Sequence, residues 1–328
     1  MRIFLAFVLA AVLAAGLGVY SWMSSPLELA AASVDLSVEP GSSPREVALQ
    51  VQQAGVNTNP GYLYWLFKLS GQARQIKAGS YELERGVTPR DILNKLVRGE
   101  EALRSVTLVE GWNLRQVREA LKKADQLKPL TADLTAEELM RQLGKPGLPA
   151  EGHFFPDTYT YAKGSTDLAL LQRAARAMDK KLDAAWSQRA AQSPLQSPEQ
   201  ALILASIVEK ETGRASDRPM ISAVFSNRLR LGMRLQTDPT VIYGLGPLFD
   251  GNLHKADLQA DTAYNTYTRS GLPPTPIAMP GRGALLAAVQ PAVSNALYFV
   301  ARGDGSSQFS ASLEEHNRAV NKYQRNQQ

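Results

Sequence analysis

An uninterrupted apolar run near the N-terminus constrains this chain more than any other sequence feature. From Ile3 to Met23 no residue ionises at neutral pH, and a helix needs about 20 such residues to cross a bilayer core. Arg2 and the α-amino group precede the run, and the next charged residue is Glu28. Because positive charge stays on the cytoplasmic side, the pattern predicts a cytoplasmic N-terminus and an exported main chain.

A cleaved signal peptide is the competing interpretation of this segment, since Ala30-Ala31-Ala32 resembles a small-residue cleavage site. The apolar run is longer than the usual signal core of about 7–15 residues, and the alanines lie well beyond it. We therefore favour a retained transmembrane anchor over residues 1–24. The main chain is exported under either interpretation.

The composition excludes several classes of function. The net charge of +5 is mild, and no basic tract with interleaved aromatic residues predicts a nucleic-acid partner. The chain has no cysteine, which excludes disulfides, thiolate metal sites and cysteine nucleophiles. His153, His254 and His316 lie far apart without metal-ligand spacing. We therefore predict neither a metal nor a cofactor.

Three segments after the anchor share one spacing, in which Arg lies four residues, and Val or Ile six residues, after Gly. They start at Gly41, Gly86 and Gly111, and each follows a short strand-like stretch. Ser43 and Thr88 are N-cap candidates, each followed by Pro. The spacing predicts a strand–turn–helix unit used three times, with chance similarity as the alternative.

The order of these units predicts how the chain divides into domains. Residues 30–100 read as strand, helix, helix, strand, an order that resembles a LysM-type glycan-binding module, and Gly55 and Gly99 are placed to end two of its helices. Residues 101–150 hold a second small α+β segment and a bridge. Residues 151–328 form the main domain.

The main domain has helical patterns, then stretches dense in turn residues and aromatics. Overall, the fold class is α+β: a transmembrane helix, small LysM-like modules and a mixed α+β main domain. The predicted elements of the main domain are helices at Asp167–Trp186, Pro198–Thr212 and Asp217–Leu231, a strand near Leu297–Ala301, and a helix from Leu313.

Glu211 is the candidate catalytic residue. It lies three residues after Val208 and four after Ile207, which places it on the apolar stripe of its helix. Burial and the negative end of the helix dipole both raise the pKa of a carboxyl group there. Glu209 falls on the opposite side, with Ser206, and is expected to be a solvated or ion-paired surface residue.

Two interpretations of Glu211 remain open on the pattern alone. A glutamate that is partly protonated near neutral pH suits a general acid that protonates a glycosidic oxygen. Alternatively, Glu211 pairs with Arg214, Arg218 or Arg228, which would lower its pKa instead.

Three further stretches have the mixture of aromatic and hydrogen-bonding groups that binds sugars: residues 151–159, 235–244 and 263–281. Turn formation explains many of the same residues, and a strand is expected after Asp238. From these stretches we predict substrate-binding roles for Gln236, Thr237, Asp238, Tyr243, Tyr264 and Asn265.

Four motifs carry a resemblance to a known family: Ala-Ser-Ile-Val-Glu-Lys-Glu-Thr (205–212), the run from Asn227 to Gly244, Tyr-Asn-Thr-Tyr (264–267) and Gly-Leu-Pro-Pro-Thr-Pro-Ile (271–277). They closely resemble the YceG-like endolytic murein transglycosylase family, also called MltG. The resemblance extends to residues 151–159 and over nearly the whole chain. It implies that Glu211, the second glutamate of Glu-Lys-Glu, is catalytic.

The resemblance also implies a lyase that faces the periplasm from the inner membrane. It would cleave the MurNAc–GlcNAc bond of nascent peptidoglycan strands, form 1,6-anhydroMurNAc ends and limit strand elongation. Peptidoglycan synthases are implied as partners. Such an enzyme needs no second carboxylate, unlike most glycosidases. Two alternatives stay open: a non-catalytic peptidoglycan-binding scaffold, and a hydrolase of the same bond.

Overall fold

The computed structural model describes residues 1–325, except for the side chains of Arg2 and Arg325. The chain folds into two compact units, and the boundaries between them fall within β5 (Leu103–Thr107) and β6 (Thr158–Ala162), two strands that pair with each other. Unit 1 comprises Met1–Arg104 and Thr160–Ser165, and unit 2 comprises Ser105–Tyr159 and the chain from Thr166 onward.

Unit 1 begins with the predicted apolar helix, which is long and apolar enough to cross a membrane. Two pairs of antiparallel strands follow, β1 with β3 and β2 with β4. The elements of unit 1 are α1 (Arg2–Ser24), β1 (Glu28–Leu29), β2 (Ser33–Val38), α2 (Pro44–Gln53), β3 (Val56–Asn57), α3 (Pro60–Leu69), β4 (Gly79–Glu84) and α4 (Pro89–Arg98).

The predicted order strand, helix, helix, strand is confirmed for β2, α2, α3 and β4. Leu36 lies opposite Tyr81 in the β2–β4 pair. Val34, Leu36 and Val38 are buried, whereas the residues between them are exposed, because successive side chains of a strand face opposite sides. The buried residues pack on α2, α3 and α4 to form one core.

The helix ends of unit 1 follow the predicted signals. Ser43 caps α2 and Thr88 caps α4, each through reciprocal hydrogen bonds with an acidic residue three positions later. Gly99 ends α4 with a φ of +71°, in the left-handed region that favours glycine. Local sequence therefore determines where these helices begin and end.

Unit 2 surrounds a second core, built mainly from α7, α8, α9 and α12. The third strand–turn–helix unit, which ends in α5, belongs to unit 2 rather than to a separate module. The elements of unit 2 are α5 (Leu114–Lys123), α6 (Ala136–Gln142), α7 (Asp167–Trp186), α8 (Pro198–Glu211), α9 (Arg218–Arg230), α10 (Asp238–Leu245), α11 (Lys255–Gln259), α12 (Arg282–Val289), β7 (Tyr298–Ala301), β8 (Ser307–Ser310) and α13 (Leu313–Val320).

The predicted helices and last strand of unit 2 are confirmed within one or two residues, but the strand expected after Asp238 is wrong. This segment forms α10, with Pro239 in its first turn, where the missing N–H of proline has no helical partner to lose. Val241 and Ile242 favour a strand by composition, but packing of α10 against α8 overrides that preference.

Asp167, the first residue of α7, is 3% exposed and accepts hydrogen bonds from the N–H groups of Leu130 and Thr131 and the Thr131 hydroxyl. We expect Asp167→Ala to lower the free energy of unfolding by about 2–4 kcal/mol, because it leaves buried donors unpaired. Asp183→Ala, on an exposed side chain of the same helix, should change it by less than about 0.5 kcal/mol. Urea unfolding measures both, and equal effects would contradict this role.

Candidate active site

The site is built on α8, whose middle part is buried on every side. Ser197 caps this helix by accepting the Gln200 N–H, and Pro198 follows. All residues from Ala201 to Val208 are buried. The predicted apolar stripe is therefore confirmed, but the opposite face is not exposed. Ser206 on that face is 0% exposed.

Glu211 is the last residue of α8 and lies where the helix leaves the core. It is partly buried, and its Oε1 accepts a hydrogen bond from the hydroxyl of Thr237. It lines an open cavity of about 410 Å³, which also includes Arg228, Asp238, Tyr267, Tyr298 and His316. The carboxyl group is thus both desolvated and accessible from the cavity.

Burial raises the pKa of Glu211 to about 7, and the negative charge of Asp238 acts in the same direction. The hydrogen bond from Thr237 and the positive charge of Arg228 oppose this shift without cancelling it. Near neutral pH, the carboxyl group is therefore divided between a proton-donating and a proton-accepting form, as general acid–base catalysis requires.

The structural ion pair that the sequence left open for Glu211 belongs to Glu209 instead. Glu209 accepts a hydrogen bond from Arg218 at 2.8 Å, and the two side chains are 5% and 13% exposed. Its other oxygen accepts the Gly281 N–H at 2.8 Å. Glu209 is therefore ion-paired, as one prediction stated, but it is not a surface residue, because the loop before α12 covers it.

Three buried threonines fix the hydroxyl that faces Glu211. Thr237 donates its N–H to the Thr266 hydroxyl at 3.1 Å, and the Thr240 hydroxyl donates to the Thr237 carbonyl at 2.8 Å. The Thr240 and Thr266 hydroxyls lie 2.9 Å apart. Thr237 is therefore held from two segments of the chain. Thr240 and Thr266 were missed as candidates, although both lie within the motifs.

Asp238 and Tyr267 form a second polar pair in the same cavity. The Tyr267 hydroxyl donates to Oδ1 of Asp238 at 2.5 Å, and burial raises the pKa of Tyr267, so its hydroxyl stays protonated. Asp238 is exposed to solvent. Tyr267 was not among the predicted residues, which included its motif neighbours Tyr264 and Asn265.

Gln236 precedes Thr237 in a left-handed conformation, with φ of +51°. Non-glycine residues rarely adopt this region, and such strain concentrates at functional sites. Its side-chain oxygen accepts a hydrogen bond from Arg228 at 3.3 Å. Arg228 also donates to the carbonyls of Leu235 and Leu297, at 2.8 and 2.7 Å. The arginine thereby holds the strained segment in place.

Residues 36–322 match the YceG-like family. This match spans most of the chain and includes every residue of the site. The chain belongs to the YceG-like family.

Individual relatives in the family agree with this assignment. The endolytic murein transglycosylase of Bacillus subtilis is 33% identical over 310 residues, which cover 89% of this chain and 85% of that protein. The enzyme of the same name from Streptococcus pneumoniae is 28% identical, and the match covers 88% of this chain but only 58% of that protein. A crystal structure of a yceG-like protein from Listeria monocytogenes superposes with a TM-score of 0.54 at 29% identity, over 88% of this chain and 98% of that chain.

Tyr243 and Tyr264 line a second cavity of about 660 Å³, which does not include Glu211. Their rings pack edge to face at 4.9 Å. Residues that are adjacent in sequence line different cavities. Glu211 and Asp238 line the first, and their neighbours Lys210 and Pro239 line the second. Of the predicted sugar-binding residues of this YceG-like protein, Gln236, Thr237 and Asp238 line the first cavity, and Tyr243 and Tyr264 line the second.

Glu151 in the second cavity was missed by the sequence analysis. It is 7% exposed, its two oxygens accept the Leu114 N–H at 3.1 Å, and one accepts the Tyr243 hydroxyl at 3.1 Å. Burial raises its pKa to about 7. Its place at the head of the Glu-Gly-His-Phe-Phe motif was the available signal.

Asn265 lies in the loop after α11 and is 0% exposed. Its amide nitrogen donates to the carbonyls of Asp257, Leu258 and Ala260, and its oxygen accepts the Tyr267 N–H at 2.8 Å. Through these hydrogen bonds, the Asn265 side chain fixes the conformation of the loop that carries Thr266 and Tyr267. Of the predicted residues, Asn265 is therefore the one that the structure places away from both cavities.

The raised pKa of Glu211 has a consequence for stability. The stability that its protonated form contributes is fully present below its ordinary pKa of 4.5 and is lost as the pH rises through about 7. We expect Glu211→Gln, which cannot ionise, to be more stable than the wild type at pH 8 by up to about 3 kcal/mol, but not at pH 4.

Urea unfolding at several pH values measures this difference. Glu119→Gln on the exposed face of α5 is the matched control and should follow the wild type throughout. If the Glu211→Gln and wild-type curves run parallel, Glu211 does not titrate with a raised pKa.

Proposed function

We propose that this YceG-like protein is an endolytic murein transglycosylase, a lyase that cleaves the MurNAc–GlcNAc bond of nascent peptidoglycan strands and limits their elongation. The observation that carries the proposal is a carboxyl group, Glu211, whose pKa is about 7, at an open cavity. The Bacillus and Streptococcus relatives carry the name of this activity.

In the proposed mechanism, protonated Glu211 donates its proton to the glycosidic oxygen, and the bond from that oxygen to C1 of MurNAc breaks. The C6 hydroxyl of the same MurNAc attacks C1 and closes a 1,6-anhydro ring. The Glu211 carboxylate then accepts the hydroxyl proton, which restores the acid. No water is consumed, so a single carboxyl group serves as acid and then as base.

The neighbours of Glu211 have separate roles in this mechanism. The Thr237 hydroxyl orients the carboxyl group through Oε1. Asp238 accepts a hydrogen bond from Tyr267, and its negative charge stabilises the positive charge that develops at C1 in an oxocarbenium-like transition state. Arg228 limits how far the pKa of Glu211 rises.

An enzyme that cleaves within a glycan strand must also bind sugars next to the bond that breaks. The second cavity would supply surface for these sugars. Tyr243 and Tyr264 offer aromatic surface to sugar rings, and Gln236 is exposed next to the first cavity. We assign Asn265 an indirect role, because its amide shapes the loop that carries Tyr267. A strand bound across both cavities would place sugars on each side of Glu211.

A hydrolase of the same bond is the second candidate, and Asp238 is the observation that favours it. Asp238 lines the same cavity as Glu211, and paired carboxylates are the usual equipment of glycoside hydrolases. The two reactions differ in their products, since hydrolysis leaves a reducing end and transglycosylation leaves an anhydro end.

We also propose that α1 is a retained anchor with a cytoplasmic N-terminus, which places both units in the periplasm at the inner membrane. Cleavage after Ala32 would remove β1, which pairs with β3, and Leu27, whose N–H donates to the Val87 carbonyl at 2.8 Å. Loss of these contacts from a folded unit argues against a signal peptide. The β2–β4 module would act as a LysM-like glycan-binding module, and peptidoglycan synthases would be partners.

We expect Glu211→Gln to reduce cleavage of purified glycan strands by about 100-fold or more, because removal of a general acid typically has this effect. Mass spectrometry of the wild-type products should show 1,6-anhydro ends. Reducing ends would support the hydrolase, and absence of cleavage by the wild type would support the scaffold.

Asp238→Asn and Glu209→Gln serve as controls for that experiment. Asp238→Asn should retain anhydro products in a transglycosylase, whereas a hydrolase that uses Asp238 as its base would lose activity as severely as Glu211→Gln. Glu209→Gln should affect mainly stability. Loss of cleavage in Glu209→Gln alone, with the fold intact, would move the catalytic role to Glu209.

Thr237→Val removes the hydrogen bond that lowers the pKa of Glu211. We expect the alkaline limb of the kcat/KM profile to move to higher pH by up to about one unit, since a hydrogen bond of about 1 kcal/mol corresponds to such a shift. Thr237→Ser keeps the hydroxyl and should keep the wild-type limb. An unmoved limb in Thr237→Val would show that Thr237 does not tune the acid.

A further inference from the structure

A groove of about 720 Å³ lies within unit 1, where the last turns of α1 meet α3 and α4. α1 contributes Gly18 and Trp22, α3 contributes Tyr62, Trp65 and Leu69, and α4 contributes Arg90. All residues that line the groove belong to unit 1, and none of them belongs to the site described above.

The outer face of α3 is unusually apolar for a surface that would lie in water. Tyr62 is 61% exposed, Trp65 is 52% exposed and Leu69 is 79% exposed. The inner face of the same helix fills the core of unit 1 through Leu63 and Phe67. A cluster of large exposed apolar side chains indicates a binding surface or contact with a membrane.

Direct contacts connect this face to the end of the proposed anchor. The Trp22 ring packs edge to face on Tyr62, with 5.8 Å between ring centroids. The Arg90 guanidinium lies 5.4 Å from the centre of the Tyr20 ring. Tyr20 and Trp22 lie in the last two turns of α1, where a spanning helix reaches the membrane surface. Side chains that touch them must lie at the same depth.

The residue types at this depth fit a lipid interface. Trp and Tyr are enriched where a bilayer meets water, because their rings are apolar and carry a polar group. Lys68 lies over the Trp65 ring at 5.2 Å, and its charge is placed beside the apolar face, as in side chains that extend towards headgroups. Arg90 is exposed, and within the described residues it makes no ion pair with an acidic side chain.

We propose that this groove binds a phospholipid of the leaflet on the exported side of the membrane. An acyl chain lies between α1 and α3, against Trp65 and Leu69, and the phosphate contacts the Arg90 guanidinium, whose planar set of donors matches phosphate oxygens. This site rests on the anchor part of the proposed function and not on the cleavage reaction. Unit 1 then lies against the bilayer instead of being tethered above it.

Tryptophan fluorescence of the full chain in phosphatidylglycerol nanodiscs tests the site. The chain has four tryptophans, and subtracting the Trp65→Phe spectrum from the wild-type spectrum isolates Trp65. Bromine atoms on the acyl chains should remove most of the Trp65 emission. The Trp186 emission, isolated with Trp186→Phe, should fall less than that of Trp65, because Trp186 does not line the groove. Trp65 emission that is unchanged by brominated lipid would overturn the proposal.

Gly18 allows the groove itself to be filled. Apart from the chain neighbours and the backbone of α1 itself, no atom of the described residues lies within 4 Å of the position of a Cβ atom at Gly18 or at Gly16. Gly18 lines the groove, whereas Gly16 does not. Gly18→Leu should restore most of the Trp65 emission in brominated discs by displacing the acyl chain, and Gly16→Leu should not. Undiminished quenching in Gly18→Leu would overturn a bound lipid.

Two measurements separate this inference from the proposed function. Gly18→Leu in α1 should cleave soluble glycan strands at the wild-type rate, so absence of cleavage by the wild type would count against the reaction alone. Intact mass of the chain isolated from membranes shows whether α1 is retained. A mature chain that starts after Ala32 would overturn the lipid site and the anchor together, whatever its activity.

Discussion

The burial of α8 on every side between Ala201 and Val208 is the constraint on which the rest of the site depends. Polar side chains at or beside this buried part are stabilised by partners within the protein. Ser206 accepts the Ile277 N–H at 3.0 Å, and Glu209 forms an ion pair with Arg218. Glu211 lies one turn beyond the last buried residue of the helix. It has lost much of its hydration and has gained a hydroxyl partner instead of a cation, so burial raises its pKa to about 7. Burial also raises the pKa of Glu209, although the hydrogen bond from Gly281 and the charge of Arg218 oppose that shift.

The loop that faces Glu211 explains why its partner is a hydroxyl. Thr237 is held by two other buried threonines, and the preceding Gln236 takes a left-handed conformation that Arg228 stabilises from the opposite side. Arg228 donates most of its hydrogen bonds to backbone carbonyls. The main role of Arg228 is therefore to hold the loop in place. Its positive charge lowers the pKa of Glu211 by less than burial raises it.

Sequence patterns were sufficient to predict the helices whose positions depend on nearby residues alone. Capping residues located the starts of α2 and α4, and helical patterns located α7 and α8. Helical phase placed Glu211 on the buried side of α8. The same reasoning failed for Glu209, because the loop that covers it lies about 70 residues away in sequence and has no local signature. It also failed for Glu151 and Tyr267, whose roles depend on which segments meet in space. Helical phase describes one helix, whereas desolvation depends on everything packed around it.

The hydrogen bond between Tyr267 and Asp238 favours transglycosylation over hydrolysis as the proposed reaction. A hydrolytic base must accept a proton from water, but Oδ1 of Asp238 already accepts a hydrogen bond from the Tyr267 hydroxyl at 2.5 Å. An ionised Asp238 raises the pKa of Glu211 and stabilises positive charge at C1. If Asp238 became protonated during turnover, both effects would vanish at the step that needs them. In the mechanism that we propose, attack by the sugar's own C6 hydroxyl avoids this conflict, because Glu211 alone would carry the proton in both directions.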